Sequence, residues 1–175
     1  MPASDYRYAS GQAVKAGEKG QVYQNVGRLY YQRGCSSGVD AHLHAVLKIL
    51  VDEHAVALNV NSLCTGKHSK NSRHYAKPCL AADCNKVGKT KATWQPFTVH
   101  NPDGQRIVEY LLDNGWLIGE GEPTRPGLLL GPARSRWNPT SIDHSTHLHM
   151  SIARWAPGMM PPGAEAMEAE PSEDV

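Results

Sequence analysis

Residues 147 to 152 read His-Leu-His-Met-Ser-Ile, a pattern that fits a half-buried strand. Side chains alternate between faces along a strand. His147, His149 and Ser151 then share one face, and Leu148, Met150 and Ile152 share the other. The second face is wholly apolar and must be covered by a core. The first presents two imidazoles side by side to a cleft. A chain built around this strand needs a sheet with one packed side and one polar side.

Two helical periodicities supply the cover. Asp40 reads as an N-cap, and Leu43, Val46, Leu47, Leu50 and Val51 follow at helical spacing, which predicts a helix over 39–54. His42 and His44, two apart on it, point to different faces. Ile107, Val108, Leu111 and Leu112 predict a second helix over 105–114, with Gly115 as its C′ residue. Asn101-Pro102-Asp103-Gly104 before it reads as a turn. Strands are predicted over 55–63, 94–100, 116–118, 128–130 and within 140–153. Segment 22–32 reads as a strand or a short helix. Residues 64–83 form a polar stretch and 86–91 a basic loop. No internal repeat is present. The order predicts an α+β domain with a small, mainly antiparallel sheet flanked by two or more helices.

A chain of 175 residues, 40% of them hydrophobic, has enough apolar material for one core. The expected organisation is an irregular N-terminal lead-in over 1–38, a domain over 39–155, and an acidic, disordered tail over 156–175. The tail carries Glu165, Glu168, Glu170, Glu173 and Asp174. Setting these five aside reduces the 17 acidic residues to 12, against 18 Lys and Arg. The body is therefore cationic, which suits polyanionic surroundings but equally suits ordinary solubility. The first twenty residues lack an apolar signal core, and no run is long enough to span a membrane. The expectation is synthesis in a cytoplasm without a signal peptide, as a monomer, with no nucleic-acid partner.

Four cysteines are present, at 35, 64, 79 and 84. Without a signal peptide, disulfides are not the default. Cys79 and Cys84 are close enough to pair or to share a metal. One reading joins Cys64, His68, Cys79 and Cys84 in a structural zinc site, which would make the chain a binding module without catalytic activity.

A catalytic zinc ion instead needs three nitrogen or oxygen ligands and one open position. His74, Asp83 and His149 offer such a set for one Zn2+ ion. His147, beside a ligand, is placed to accept a proton.

Ser72-Arg73-His74-Tyr75 followed by Ala81-Ala82-Asp83, with His147-Leu148-His149 downstream, resembles the signature of zinc D-Ala-D-Ala carboxypeptidases and murein endopeptidases. That group includes lysostaphin-like enzymes, phage endolysins and the Hedgehog signalling domain. The resemblance covers about residues 35–153. It implies a Hedgehog/DD-peptidase-like fold, His74, Asp83 and His149 as zinc ligands, and hydrolysis of amide bonds in bacterial peptidoglycan peptides. It also implies an endolysin-like action on the cell wall, with delivery by other means than a signal peptide. The chain departs from the pattern in two places. Eight residues separate His74 from Asp83 where the family usually has six, and Thr146 stands where an acid often precedes the last ligand. The base role then falls to Asp143, His144 or His147. Arg73 is a candidate for a substrate carboxylate, and Tyr75 for a hydrogen bond to a tetrahedral intermediate. His68 and Trp137 are candidates for the substrate groove. Each of these four also has an ordinary reading as a surface residue.

Overall fold

The computed structural model describes residues 13–14, 23–26, 28–32, 39–63, 74, 79–122 and 126–152. The elements are β1 (Ala13–Val14), β2 (Tyr23–Val26), β3 (Leu29–Tyr31), β4 (Val39–Asp40), α1 (Ala41–His54), β5 (Ala57–Ser62), β6 (Ala81–Gly88), β7 (Gln95–Pro96), α2 (Pro102–Asp113), β8 (Leu117–Ile118), β9 (Gly127–Gly131) and β10 (His144–Ser151). They form a mixed α+β domain with an open sheet flanked by two helices.

The main sheet runs β2-β3-β5-β6-β10-β9-β8, and β7 pairs with β6 beyond the reach of β10. Most neighbours are antiparallel. The β3–β5 and β8–β9 pairs are parallel, so the sheet is mixed. β1 and β4 make a separate two-stranded ribbon. The expected lead-in thus contributes strands: Leu29 and Tyr31 on β3 are fully buried in the core.

Both predicted helices form, and one hydrophobic cluster joins them to a single face of the sheet. Leu43, Val46, Leu47 and Leu50 of α1 and Ile107, Val108 and Leu111 of α2 pack with Leu58, Val60, Cys84, Leu148 and Met150. Asp40 directly precedes α1. The expected turn at 101–104 is the cap and first turn of α2. Asn101 Oδ1 accepts from the amides of Asp103 and Gly104 at 3.1 and 3.2 Å. Its Nδ2 donates to Val87 O and Pro96 O, tying the helix start to the sheet. Gly115 follows the helix at φ +90°, as a C′ glycine should.

β6 corrects two loop assignments. Residues 81–83 and 86–88 belong to one eight-residue strand at the sheet's centre. Its small and polar residues carry no strand periodicity, and pairing on both sides imposes the conformation. The strand expected over 94–100 shrinks to Gln95–Pro96. Pro96 lacks an amide hydrogen, and Thr98 N already donates back to Pro96 O.

Cys79 is disulfide-bonded, to a partner outside the described residues, whereas Cys84 is a buried thiol. The two do not pair with each other. A half-cystine offers no thiolate, so Cys79 is removed from the four-residue structural zinc site. No described helix is long and apolar enough to cross a membrane. The expected acidic tail lies outside the described residues.

Candidate metal centre

β6 and β10 run antiparallel in a register that sets Asp83 opposite His149. Strand alternation does the rest. Cys84 and Leu148 point into the core, so Asp83, His147 and His149 emerge on the other face. His74, 1% exposed, reaches the same point from the segment ahead of β6.

Three ligand atoms converge there. Asp83 Oδ1 lies 3.0 Å from His149 Nδ1 and 3.2 Å from His74 Nε2. The two imidazole nitrogens are 3.4 Å apart. A tetrahedral ion with nitrogen and oxygen ligands at about 2.0–2.1 Å keeps those ligands about 3.3 Å apart. The three distances match the edges of one face of such a tetrahedron. The cluster is thus capable of coordinating a divalent ion, and all three residues are buried.

The far side of each ring fixes its tautomer. His74 Nδ1 donates to the carbonyl of Leu63, at the end of β5, leaving the Nε2 lone pair for a metal. His149 Nε2 lies 3.0 Å from Glu120 Oε1, leaving Nδ1 for the metal. Ser151 Oγ donates to Glu120 Oε2 at 2.7 Å and accepts from Gly121 N at 2.8 Å. Carboxylate and carbonyl partners of this kind orient metal-bound histidines.

Electrostatics follow from this packing. Burial alone would raise the Asp83 carboxyl. Hydrogen bonds from His149 and His74, with the neighbouring histidine charges, overcome it and hold the group far below the usual carboxylate range. Burial also works to lower His149, but Asp83 and Glu120 raise it to about 9. His147 and His144 are both lowered, chiefly by burial. Burial thus favours the neutral ring in both.

No family model, no curated protein and no solved structure matches this chain. The metal-binding capacity rests on the ligand atoms themselves.

Of the other expected site residues, His147 sits at the cluster's edge, with Nε2 3.7 Å from Asp83 Oδ1 and its side chain 25% exposed. His144 stands behind it, its ring 5.5 Å from that of His147 and 5.4 Å from that of His149. Asp143 is exposed at the entry to β10, and its Oδ1 accepts from the amide and hydroxyl of Ser145. Its hydrogen bonds thus serve its own loop and not the cluster. Trp137 is 5% exposed and packs in the core, with the Arg136 guanidinium 4.9 Å above its ring. Its bulk is spent on packing and not on an open groove. Arg73, Tyr75 and His68 lie outside the described residues.

Sequence reasoning missed Glu120. It lies 29 residues from His149, between two glycines in a short connection. The flanking glycines are the local signal: Gly119 sits at φ +143°, and a Cβ at Gly121 would stand 2.5 Å from Ser151 O, so only glycine lets this loop approach β10.

Proposed function

We propose that the chain is a zinc peptidase of the D-Ala-D-Ala carboxypeptidase and murein endopeptidase group, with that group's fold, acting on peptide amides of the bacterial wall. The observation that carries this reading is the trio of ligand atoms spaced 3.0, 3.2 and 3.4 Å apart. Two imidazoles and one carboxylate form a catalytic zinc donor set, one ligand short of a closed structural site. His74, Asp83 and His149 would hold the ion. When bound, it supplies Lewis-acid polarisation of a carbonyl and activation of water at neutral pH.

The chain's own residues supply the proton chemistry. His147 Nδ1 lies 3.2 Å from Thr146 Oγ1. With Nδ1 donating there, Nε2 carries the lone pair beside the cluster and accepts a proton from the attacking water. Passing it on to the leaving amine completes the cycle. His144, packed against His147, holds that ring in place. Arg73, for a substrate carboxylate, Tyr75, for a hydrogen bond to the tetrahedral intermediate, and His68, for the substrate groove, belong to the same proposal.

We further propose that this catalytic unit acts on the wall as a monomer. The test has two parts. The purified protein should contain about one zinc per chain, and His149→Ala should contain none. The wild type should release peptides or amino acids from purified peptidoglycan, and the metal-free variant should not. A folded wild type without stoichiometric metal defeats the mechanism.

A further inference from the structure

A cavity opens on the polar face of the sheet. It has a volume of about 370 Å³ and lies over β3, β5 and β6. Its floor is a lateral row across the three strands. Tyr30 pairs with Asn59, and Asn59 pairs with Lys86. Asn85, two residues along β6 from Asp83, joins the row, so the cavity begins about 7 Å along the strand from the metal centre.

Its chemistry is specific. Asn59, 8% exposed, spends both amino hydrogens on neighbouring carboxamides: Asn85 Oδ1 at 2.7 Å and Gln32 Oε1 at 3.2 Å. This links three amides in one chain, and all three residues line the cavity. Trp94 forms a wall, edge-on to Tyr30 at 5.5 Å. Gly88 lets that wall stand, since a Cβ there would lie 2.5 Å from the Trp94 Cα. Lys91 Nζ stands 5.1 Å above the Tyr30 ring. Among the described residues neither Lys86 nor Lys91 pairs with a carboxylate, whereas nearby Lys89 is bound to Asp103.

From this arrangement we infer that the cavity is a saccharide subsite for an N-acylated glycan that carries carboxylate groups. The apolar face of a sugar ring suits an aromatic wall, as one half of each ring is C–H and the other polar. Fixed amides, offering donors and an acceptor together, suit hydroxyls and acylamino groups. The two lysines suit the acid. Peptide binding by strand addition is closed here: β5 and β6 are paired on both sides, so no edge is open for it. The inference rests on the proposed function and deepens it: a stretch of wall glycan whose acidic sugars carry no stem peptide, and so keep a free carboxylate, would anchor beside the peptide being cut.

The test measures calorimetric binding of two probes to the full chain: peptide-free glycan strands from peptidoglycan, and a synthetic stem peptide. Glycan strands should bind the wild type, and Trp94→Ala should weaken them roughly tenfold. Lys86→Gln with Lys91→Gln, both at exposed positions, should weaken glycan strands about two- to fivefold while leaving neutral N-acetylglucosamine oligomers unchanged. This pair also guards against misfolding of the Trp94 variant. His149→Ala should bind glycan as the wild type does, even if no hydrolysis is ever found. That outcome separates the subsite from the peptidase reading. A folded wild type that ignores glycan strands, or that binds the stem peptide through Trp94, overturns the inference.

Discussion

The imidazole of His149 is clamped between two carboxylates: Asp83 holds Nδ1 at 3.0 Å and Glu120 holds Nε2 at 3.0 Å. Glu120 is in turn fixed by the Ser151 hydroxyl, on the same face of β10 as His149. Replacing Glu120 by Gln keeps its size but removes the charge that makes the ring a strong ligand. Zinc affinity should fall about 10- to 100-fold with the fold intact. Competition with a chelator of known affinity measures it. An unchanged affinity would show that Glu120 does not tune the ligand.

Asp83→Asn should abolish stoichiometric zinc, because an amide is a poor third ligand. In the metal-free state it should also cost roughly 1–3 kcal/mol, since the imidazoles at 74 and 149 lose a buried ionic acceptor. Metal analysis and urea unfolding read the two effects. Stoichiometric zinc in this variant would remove the carboxylate from the ligand set.

Without metal, His149 keeps its proton up to about pH 9. Its pKa stands above the unfolded value of 6.5, so its contribution to stability is complete below pH 6.5. It fades as pH rises through about 9. Asp83 behaves oppositely: its depressed pKa stabilises the fold above the unfolded value of 3.8, and that is lost as pH falls. The urea midpoint of the metal-free protein should therefore drop between pH 6.5 and 9. The proposed zinc would compete for the same Nδ1 lone pair, so its binding near neutrality should release about one proton. Calorimetry in buffers of different ionisation enthalpy counts it; zero protons released would contradict the clamp.

Neighbours on β10 should separate stability from activity. Leu148 is fully buried, and Leu148→Ala should cost about 2–5 kcal/mol. His147 is partly exposed, and His147→Ala should change stability by no more than about 1 kcal/mol. It should nevertheless lower turnover of wall peptides roughly 100- to 10,000-fold while zinc is retained. Loss of zinc in His147→Ala would make that residue a ligand.

Much of this was written locally. The apolar stripes of α1 and α2 and the two-faced strand 147–152 can be read from spacing alone, because a side chain's face follows directly from its position in a helix or strand. That already placed His147 and His149 together, away from the core. β6 could not be read this way. Ala81–Gly88 has no periodicity of its own and is a strand because β5, β7 and β10 bond to it. Only that pairing brings Asp83 opposite His149, 66 residues away, and only the loop at Gly121 brings Glu120 to the ring's other nitrogen. The burial of Trp137 was likewise settled by the packing of the core. Local sequence determines which way a side chain faces. What it meets there depends on strand register and loop closure, which are decided by the packing of the whole chain.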